Sequence, residues 1–432
     1  MKYQPIDSKL FIRNRKKFKE HMAPNSMAIL NSNDIYPVSA DSTLPFQQQR
    51  DIFYLSGVDQ EESVLVIFPD SPKEKNREIL FLKETDERIA VWEGEKLTKE
   101  KAFETSGIKT VYWLHEMEKV LFELMTQAET VYINTNEHYR ANVETETRDA
   151  RFIKWLKGKY PAHDYRRCQP ILQRLRSVKE PEEIELIQKA CDITEKGFKR
   201  VLGFVEPGVM EFEIEAEYIH EFIRNRADGF AYTPIVGSGY NACVLHYIEN
   251  NQECKAGDVI LMDVGASYGN YASDMTRCIP VSGKFTDRQK EIYNAVLRVK
   301  KAAAKMLVPG NDWAEYHVEV GKLMTAELLK LKLITQEEVD KEDPDWPAYK
   351  KYFMHGTSHH MGLDTHDYGI LTEPMQAGMV FTVEPGIYLP EENLGIRLED
   401  DYVIQEKGEP LNLMKNIPIE IADIEAWMAG RA

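Results

Sequence analysis

A chain of 432 residues is longer than one hydrophobic core comfortably serves, so two domains are expected, and 43% hydrophobic residues argue against a disordered polypeptide. The formal net charge of −17, from 54 Lys and Arg against 71 Asp and Glu, argues against nucleic acid and anionic membrane surfaces as partners, because both select clustered cations. No stretch approaches the roughly 20 apolar residues of a membrane span and the start, Met1-Lys-Tyr-Gln-Pro5, lacks an apolar signal core, so a cytoplasmic protein is expected. The five cysteines (Cys168, Cys191, Cys243, Cys254, Cys278) form no CxxC pair, which speaks against a disulfide framework and a thiolate zinc site.

In chain order, Asp7-Ser8 predicts a cap for an amphipathic helix from Lys9 to His21, with Leu10, Phe11, Phe18 and Met22 near one face. Ser26–Leu30, Asp51–Leu55, Ser63–Phe68 and Glu78–Leu82 read as short buried strands, and Glu116–Thr126 as a helix. This alternation predicts an α/β domain over residues 1–172, with no metal or nucleophile constellation of its own. Ser177 with Glu180 suggests a capping box, Pro181 suits an early helical position, and a long helix follows to about Leu202. The second domain is therefore placed at 173–432. It continues with a helix from Glu211 to Ala227, a strand at Ile235-Val236, and the turn Gly237-Ser-Gly239-Tyr-Asn241, which is no phosphate loop because no GK[ST] follows. Helices are predicted from Thr286 to about Leu307 and from Trp313 to Leu331, then an acidic surface loop, Gln336–Asp345.

Between them lies Val259-Ile-Leu-Met-Asp263-Val-Gly265, followed by a return through Asp274-Met-Thr276. A lone ionised carboxylate in an apolar run is costly, so Asp263 needs compensation. A turn centred on Tyr268-Gly269 would make Asp263 and Asp274 direct cross-strand partners, about 5 Å apart at Cβ. Cations between them would turn that repulsion into a site. The motif has an echo. Ala256-Gly257 through Asp263-Val-Gly265 is matched 121 residues later by Ala377-Gly378 through Glu384-Pro-Gly386, and each copy has a second acid on its return, Asp274 and Glu399. Two similar half-domains about an approximate two-fold would bring four carboxylates to one point. Four of the eleven histidines fall in His355-Gly-Thr-Ser-His359-His360-Met-Gly362-Leu-Asp-Thr-His366. Carboxylates with imidazole suit two divalent ions of the Mn, Co or Zn kind, and Gly356 and Gly362 favour a loop or strand over a helix there.

These motifs resemble the metallo-aminopeptidases of the pita-bread fold, most closely the proline-specific branch of aminopeptidase P and prolidase. The resemblance rests on Gly237-Ser-Gly239-Tyr-Asn241 with His246, Asp263-Val-Gly265, Asp274-Met-Thr276-Arg277, His355-Gly-x-x-His359-x-x-Gly362 with His366-Asp367, Glu384-Pro-Gly386-Ile-Tyr388 and Gly395-Ile-Arg397-Leu-Glu399-Asp400, and it runs the length of the chain. It implies an α/β N-terminal domain followed by an α+β pita-bread domain with an internal pseudo-two-fold. It implies that Asp263, Asp274, His359, Glu384 and Glu399 hold two divalent ions, Mn2+ first and Co2+ or Zn2+ as options, with Asp274 and Glu399 bridging. Glu384 is expected to take a water proton, His355 to stabilise the oxyanion, His366 to contact the bound peptide, and His246 to orient substrate and deliver a proton. Arg397 matches an arginine near the substrate and Tyr388 a residue beside the proline pocket. Asp41 and Trp92 match positions that reach a neighbouring subunit's site, which implies a homodimer or homotetramer. The expected activity is removal of the first residue from peptides with proline second. A dipeptide-restricted prolidase shares every catalytic residue and is the runner-up. A non-catalytic binding module on the same fold is the distant alternative, set against here by the presence of all five ligands.

Overall fold

The computed structural model describes residues 2–430, which divide into two compact units, one over Tyr3–Leu175 and one from Arg176 onward. In the first unit the helix Ser8–Glu20 starts where Asp7 accepts the Lys9 amide, and it buries Leu10, Phe11 and Phe18. A six-stranded mixed sheet runs in the spatial order Thr110–Trp113, Glu78–Leu82, Val64–Ile67, Ser26–Asn31, Thr130–Ile133 and Asp164–Arg167. Its four inner strands are mostly Val, Ile, Leu, Phe and Met and almost wholly buried, as a sheet covered on both faces requires. One expectation fails here. Asp51–Leu55 lies in a helix, Arg50–Ser56, and not in a strand. The Gln49 side chain accepts the Asp51 and Ile52 amides at its start, and Gly57 at φ 70° closes its end. A short apolar run reads alike as buried strand or buried helix, and the local caps decide.

The second unit repeats one plan. The helices Pro181–Phe204 and Glu211–Arg224 precede a hairpin of Val259–Val264 against Met275–Pro280. The helices Asp287–Ala304 and Trp313–Lys330 precede a hairpin of Val380–Val383 against Asp400–Val403. The long helix Pro181–Phe204 packs on the tip of the first hairpin, and Asp287–Ala304 on the strands of the second. Its cap differs from the expected one: the Glu183 carboxylate accepts the Glu180 amide at 2.8 Å, one turn later than a Ser177–Glu180 box, and Pro181 occupies the first helical turn as predicted. The acidic segment expected to be loop includes a short exposed helix, Gln336–Asp340, capped by Thr335.

The first hairpin's register also corrects the expectation. Asp263 faces Thr276, not Asp274. The turn is centred one residue later than assumed: Tyr268 pairs with Tyr271, leaving Gly269 (φ 59°) and Asn270 (φ 66°) at the tip. Both central residues are left-handed, as in a type I′ turn, and a glycine and an asparagine reach that region at far less cost than a tyrosine. Moving the centre by half a residue pair shifts each cross-strand partner. Gly265 then lies against Ser273, where a Cβ would come within 1.8 Å of the Ser273 carbonyl oxygen, so only glycine lets the strands close.

The return strands of the two hairpins meet at the centre of this unit. The Glu399 amide donates to the Thr276 carbonyl at 3.0 Å. Arg277, fully buried, donates to the Thr276 and Glu399 carbonyls and pairs with Asp400, which also receives the Lys300 ammonium. These bonds pair Arg277, Lys300 and Asp400 with one another and with the backbone beneath the junction.

Candidate metal centre

Asp274, His359 and Glu399 each offer a ligand atom within 4.8 Å of the others, and all three are buried. Asp274 comes from the first hairpin's return and Glu399 from the second's. His359 follows the loop that runs out from His355, its amide donating to Thr382 Oγ1 at 3.2 Å and its Nδ1 engaging the His360 carbonyl at 3.0 Å. That second bond places a proton on Nδ1 and turns Nε2 toward the carboxylates, 3.3 Å from Asp274 Oδ2 and 3.7 Å from Glu384 Oε1. Asp263 joins the group through shared donors: Tyr232 Oη lies 2.6 Å from Oδ1 of both Asp263 and Asp274. The predicted convergence of four acids and His359 is therefore present, although Asp263 and Asp274 lie diagonally across the hairpin.

Four carboxylates face the His359 imidazole, the Arg397 guanidinium and the Tyr232 phenol, with His355 at their edge. Burial first, then the Asp263 charge, pushes Asp274 well above the ordinary carboxylate range. Burial and the charges of Asp274 and Glu384 do the same to Glu399, and burial above all raises Glu384 to about 7. The donor set is hard oxygen with a single nitrogen, and its negative charge exceeds what Arg397 offsets. It therefore fits divalent cations, and Asp263, Asp274, His359, Glu384 and Glu399 are the residues that would hold them.

Hydrogen bonds in this site run in one direction. Arg397 donates through Nη2 to Asp263 Oδ2 at 2.7 Å, through Nε to Thr276 Oγ1 at 3.1 Å, and through Nη1 to Tyr388 Oη at 2.9 Å. Thr276 Oγ1 in turn donates to Glu399 Oε2 at 2.6 Å. The Tyr388 hydroxyl lies 2.7 Å from His355 Nε2, and His355 Nδ1 lies 2.8 Å from the Gly356 carbonyl. A carbonyl can only accept, so Nδ1 carries the proton and Nε2 receives the Tyr388 proton. Burial, followed by the Arg397 charge, lowers His355 to about 3, so the ring is neutral. Nδ1 also stands 3.8 Å from Glu384 Oε2, at the edge of the carboxylate cluster.

The remaining residues singled out from sequence are placed as follows. His366 is exposed and its ring centroid is 4.3 Å from that of His359. His246 is exposed on the segment after the 3-10 turn Gly239–Cys243, near enough to act electrostatically on His355. Trp92 is 89% exposed on the helix Glu87–Glu93, and Asp41 is exposed at the turn between Pro37–Ser39 and Ser42–Thr43, both in the first unit. Sequence reasoning missed Tyr232 and Thr276 as site residues. Thr276 stood inside a quoted motif and its strand parity relative to Asp274 was a usable signal. Tyr232 had none, because its role arises only where three segments meet.

The chain matches the model of metallopeptidase family M24 over residues 185–406 and that of the aminopeptidase P N-terminal domain over residues 11–132. It is 35% identical to the Xaa-Pro aminopeptidase of Escherichia coli, across 98% of both chains. Among solved structures it resembles E. coli aminopeptidase P with the inhibitor Pro-Leu (TM-score 0.87, 34% identity, 99% of each chain). It also resembles the zinc-substituted form of that enzyme with product (TM-score 0.86, 33% identity, covering 99% of this chain and 100% of the other). With its carboxylate and histidine cluster on the repeated hairpin frame of the pita-bread fold, this chain belongs to metallopeptidase family M24.

Proposed function

We propose that the protein is an Xaa-Pro aminopeptidase that would use two divalent ions, Mn2+ foremost, which Asp263, Asp274, His359, Glu384 and Glu399 would hold. The observation that carries this reading is the meeting of four carboxylates with Nε2 of His359 at one buried point, within reach of a directed hydrogen-bond chain through Arg397, Tyr388 and His355. The full-length likeness to aminopeptidase P supports the choice of substrate. When bound, divalent ions would supply Lewis-acid polarisation and bring the pKa of water down to about 7.

The chain's own residues account for the rest. Glu384, facing both His359 Nε2 and His355 Nδ1, accepts the proton that the attacking water loses and returns it to the leaving nitrogen. His355, neutral and with Nδ1 3.8 Å from Glu384 Oε2, stabilises the developing oxyanion at the edge of the carboxylate cluster. Tyr388, held between Arg397 and His355, forms a fixed wall beside the proline ring. An Xaa-Pro bond has no N–H to recognise, so shape must replace hydrogen bonding at that position. His366 contacts the peptide on the exposed side of His359, and His246 orients the substrate near His355. Asp41 and Trp92, both exposed, are assigned to a second subunit's site in a homodimer or homotetramer.

The test is a panel of Xaa-Pro and Xaa-Pro-Xaa peptides, each assayed with Mn2+, Co2+ and Zn2+. Release of the first residue from the tripeptides is the expected result, and cleavage confined to dipeptides overturns the aminopeptidase reading. Asp274→Asn should abolish metal-dependent cleavage. Full retained activity would sink the ligand assignment.

A further inference from the structure

The turn carrying His366 is pinned by buried charge that the ligand set does not use. The His360 carbonyl accepts the Asp367 amide at 2.9 Å, closing the segment on itself, and the Asp364 carbonyl accepts the Gly362 amide at 3.0 Å. Packing leaves no slack: a Cβ on Gly369 would fall 1.9 Å from the His360 ring, and one on Gly362 would fall 2.2 Å from Asp367 Oδ2. The Asp367 carboxylate points inward to two cations, with Arg176 Nη2 at 2.5 Å from Oδ1 and Lys179 Nζ at 3.2 Å from Oδ2. Arg176 reaches Asp364 Oδ2 at 2.7 Å with the same nitrogen and lies over the Tyr368 ring at 4.6 Å. Arg176, Lys179 and Asp367 are 1%, 5% and 5% exposed. Lys179 is itself fixed, because its amide donates to the Gly378 carbonyl at 2.9 Å, at the root of the second hairpin.

Such a cluster is a poor way to gain stability, since desolvating two cations and a carboxylate consumes most of their attraction, and apolar replacements of buried ion pairs are often neutral or stabilising. What it supplies is geometry. One cation stands on each oxygen, Arg176 on Oδ1 and Lys179 on Oδ2, so the pair fixes the carboxylate's orientation as well as its position. Asp367 is the residue after His366, and the His366 ring packs on His359 at 4.3 Å.

We propose that Arg176 and Lys179, through Asp367, are positioning residues for the reaction, holding the 360–369 turn so that His366 stands over His359 at the mouth of the site. The inference rests on the role given to His366 above. It predicts that loosening the clamp acts on catalysis through His366 alone.

The experiment uses the metal-loaded full-length chain. Lys179→Met keeps most of the side chain's length without its charge, and Arg176→Lys keeps the charge without the guanidinium; a thermal melt of each shows which retains the fold, and that one is carried forward. It is made alone and together with His366→Ala. Expected are amide exchange about tenfold faster at Gly362, Asp367 and Tyr368, unchanged metal content, and a kcat/KM about 10- to 100-fold lower, the range seen when an outer hydrogen-bond partner is lost. In the His366→Ala background the further loss should shrink to under about twofold, the signature of two groups acting as one. Equal losses in both backgrounds, unchanged exchange, or full activity of His366→Ala each overturn the proposal. A wild-type chain that cleaves no Xaa-Pro peptide overturns the assigned function instead, and unchanged exchange then overturns the clamp separately.

Discussion

Replacing Tyr232 by Phe removes one hydroxyl and nothing else from the metal centre. That hydroxyl stands 2.6 Å from a carboxylate oxygen of Asp263 and of Asp274, so it sets the spacing of two proposed ligands with one proton. Asp263 keeps the Arg397 guanidinium when the hydroxyl goes, whereas Asp274 keeps His359 Nε2, 3.3 Å from its Oδ2. Losing one hydrogen bond to a charged acceptor costs about 1.5–3 kcal/mol. At about 1.4 kcal/mol per tenfold, that is roughly a 10- to 100-fold change in an equilibrium constant. The change should fall mainly on metal affinity, because the hydroxyl orients ligands and touches no reacting atom. Calorimetric titration of chelator-stripped protein with Mn2+ should show the dissociation constant raised by that factor. A kcat/KM measured at saturating metal should recover to within a few-fold of wild type. An affinity within twofold of wild type would refute the reasoning, as would a kcat/KM that stays 100-fold low when the site is filled.

Other expectations follow from the same geometry. Gly265→Ala places a methyl against the Ser273 carbonyl, which cannot yield without opening the hairpin between Asp263 and Asp274. It should lower the melting temperature by several degrees and weaken Mn2+ binding, and a variant with wild-type affinity would contradict the register. In the first unit, burial raises Asp149 to about 7 despite a hydrogen bond from Asn31. A carboxyl whose folded pKa is raised stabilises the fold fully below its unfolded value near 3.8, and that stability is lost as pH rises through about 7. Asp149→Asn should therefore match wild type at pH 4, and exceed it at pH 8 by up to about 4 kcal/mol, from three units at about 1.4 kcal/mol each. Thermal melts across that window would show it, and parallel curves for the two proteins would exclude it. Trp92→Ala, changing a side chain that is 89% exposed, should leave folding intact and lower kcat/KM only if assembly brings it to a site, which light scattering and kinetics read together.

The site was legible in the sequence where chemistry and periodicity agreed. A carboxylate in the apolar run ending at Val264, and its echo at Glu384, stated the need for cations before any contact was known. The turn was misplaced because counting from the acids fixes only their separation, whereas the backbone requirement for positive φ at both tip residues selects Gly269-Asn270. The Arg50–Ser56 helix was read as a strand because seven residues are too few for periodicity to speak, and the deciding caps lie outside the apolar run. Tyr232 and the Arg176–Asp367 pair were invisible for another reason. Their partners are 31 to 191 residues away, and no local pattern encodes such a meeting.

The register correction also changes what the internal two-fold means. In the first hairpin Asp263 faces Thr276, and continuing the second hairpin's register past Val383 and Asp400 sets Glu384 opposite Glu399. Gly386 faces Arg397, just as Gly265 lies where the return strand passes Asp274. The outgoing acids Asp263 and Glu384 are thus true equivalents, but the returning acids are not: Glu399 stands at the place of Thr276, and Arg397 at the place of Asp274. A strictly symmetric site would put four acids around the axis with nothing between them. Displacing one acid by two residues keeps it on the same face of its strand, since side chains alternate with period two, and frees a position for a cation. Arg397 occupies it, bonded to Asp263 across the axis and to Thr276, the residue that Glu399 replaces in the other copy. The frame is symmetric because two similar halves fold alike, and the chemistry is asymmetric because one half presents two acids and the other two acids and a guanidinium. That inequality makes the two sides of the site differ: the first hairpin contributes Asp263 and Asp274, and the second adds the wall of Arg397, Tyr388 and His355 on which a substrate can be read.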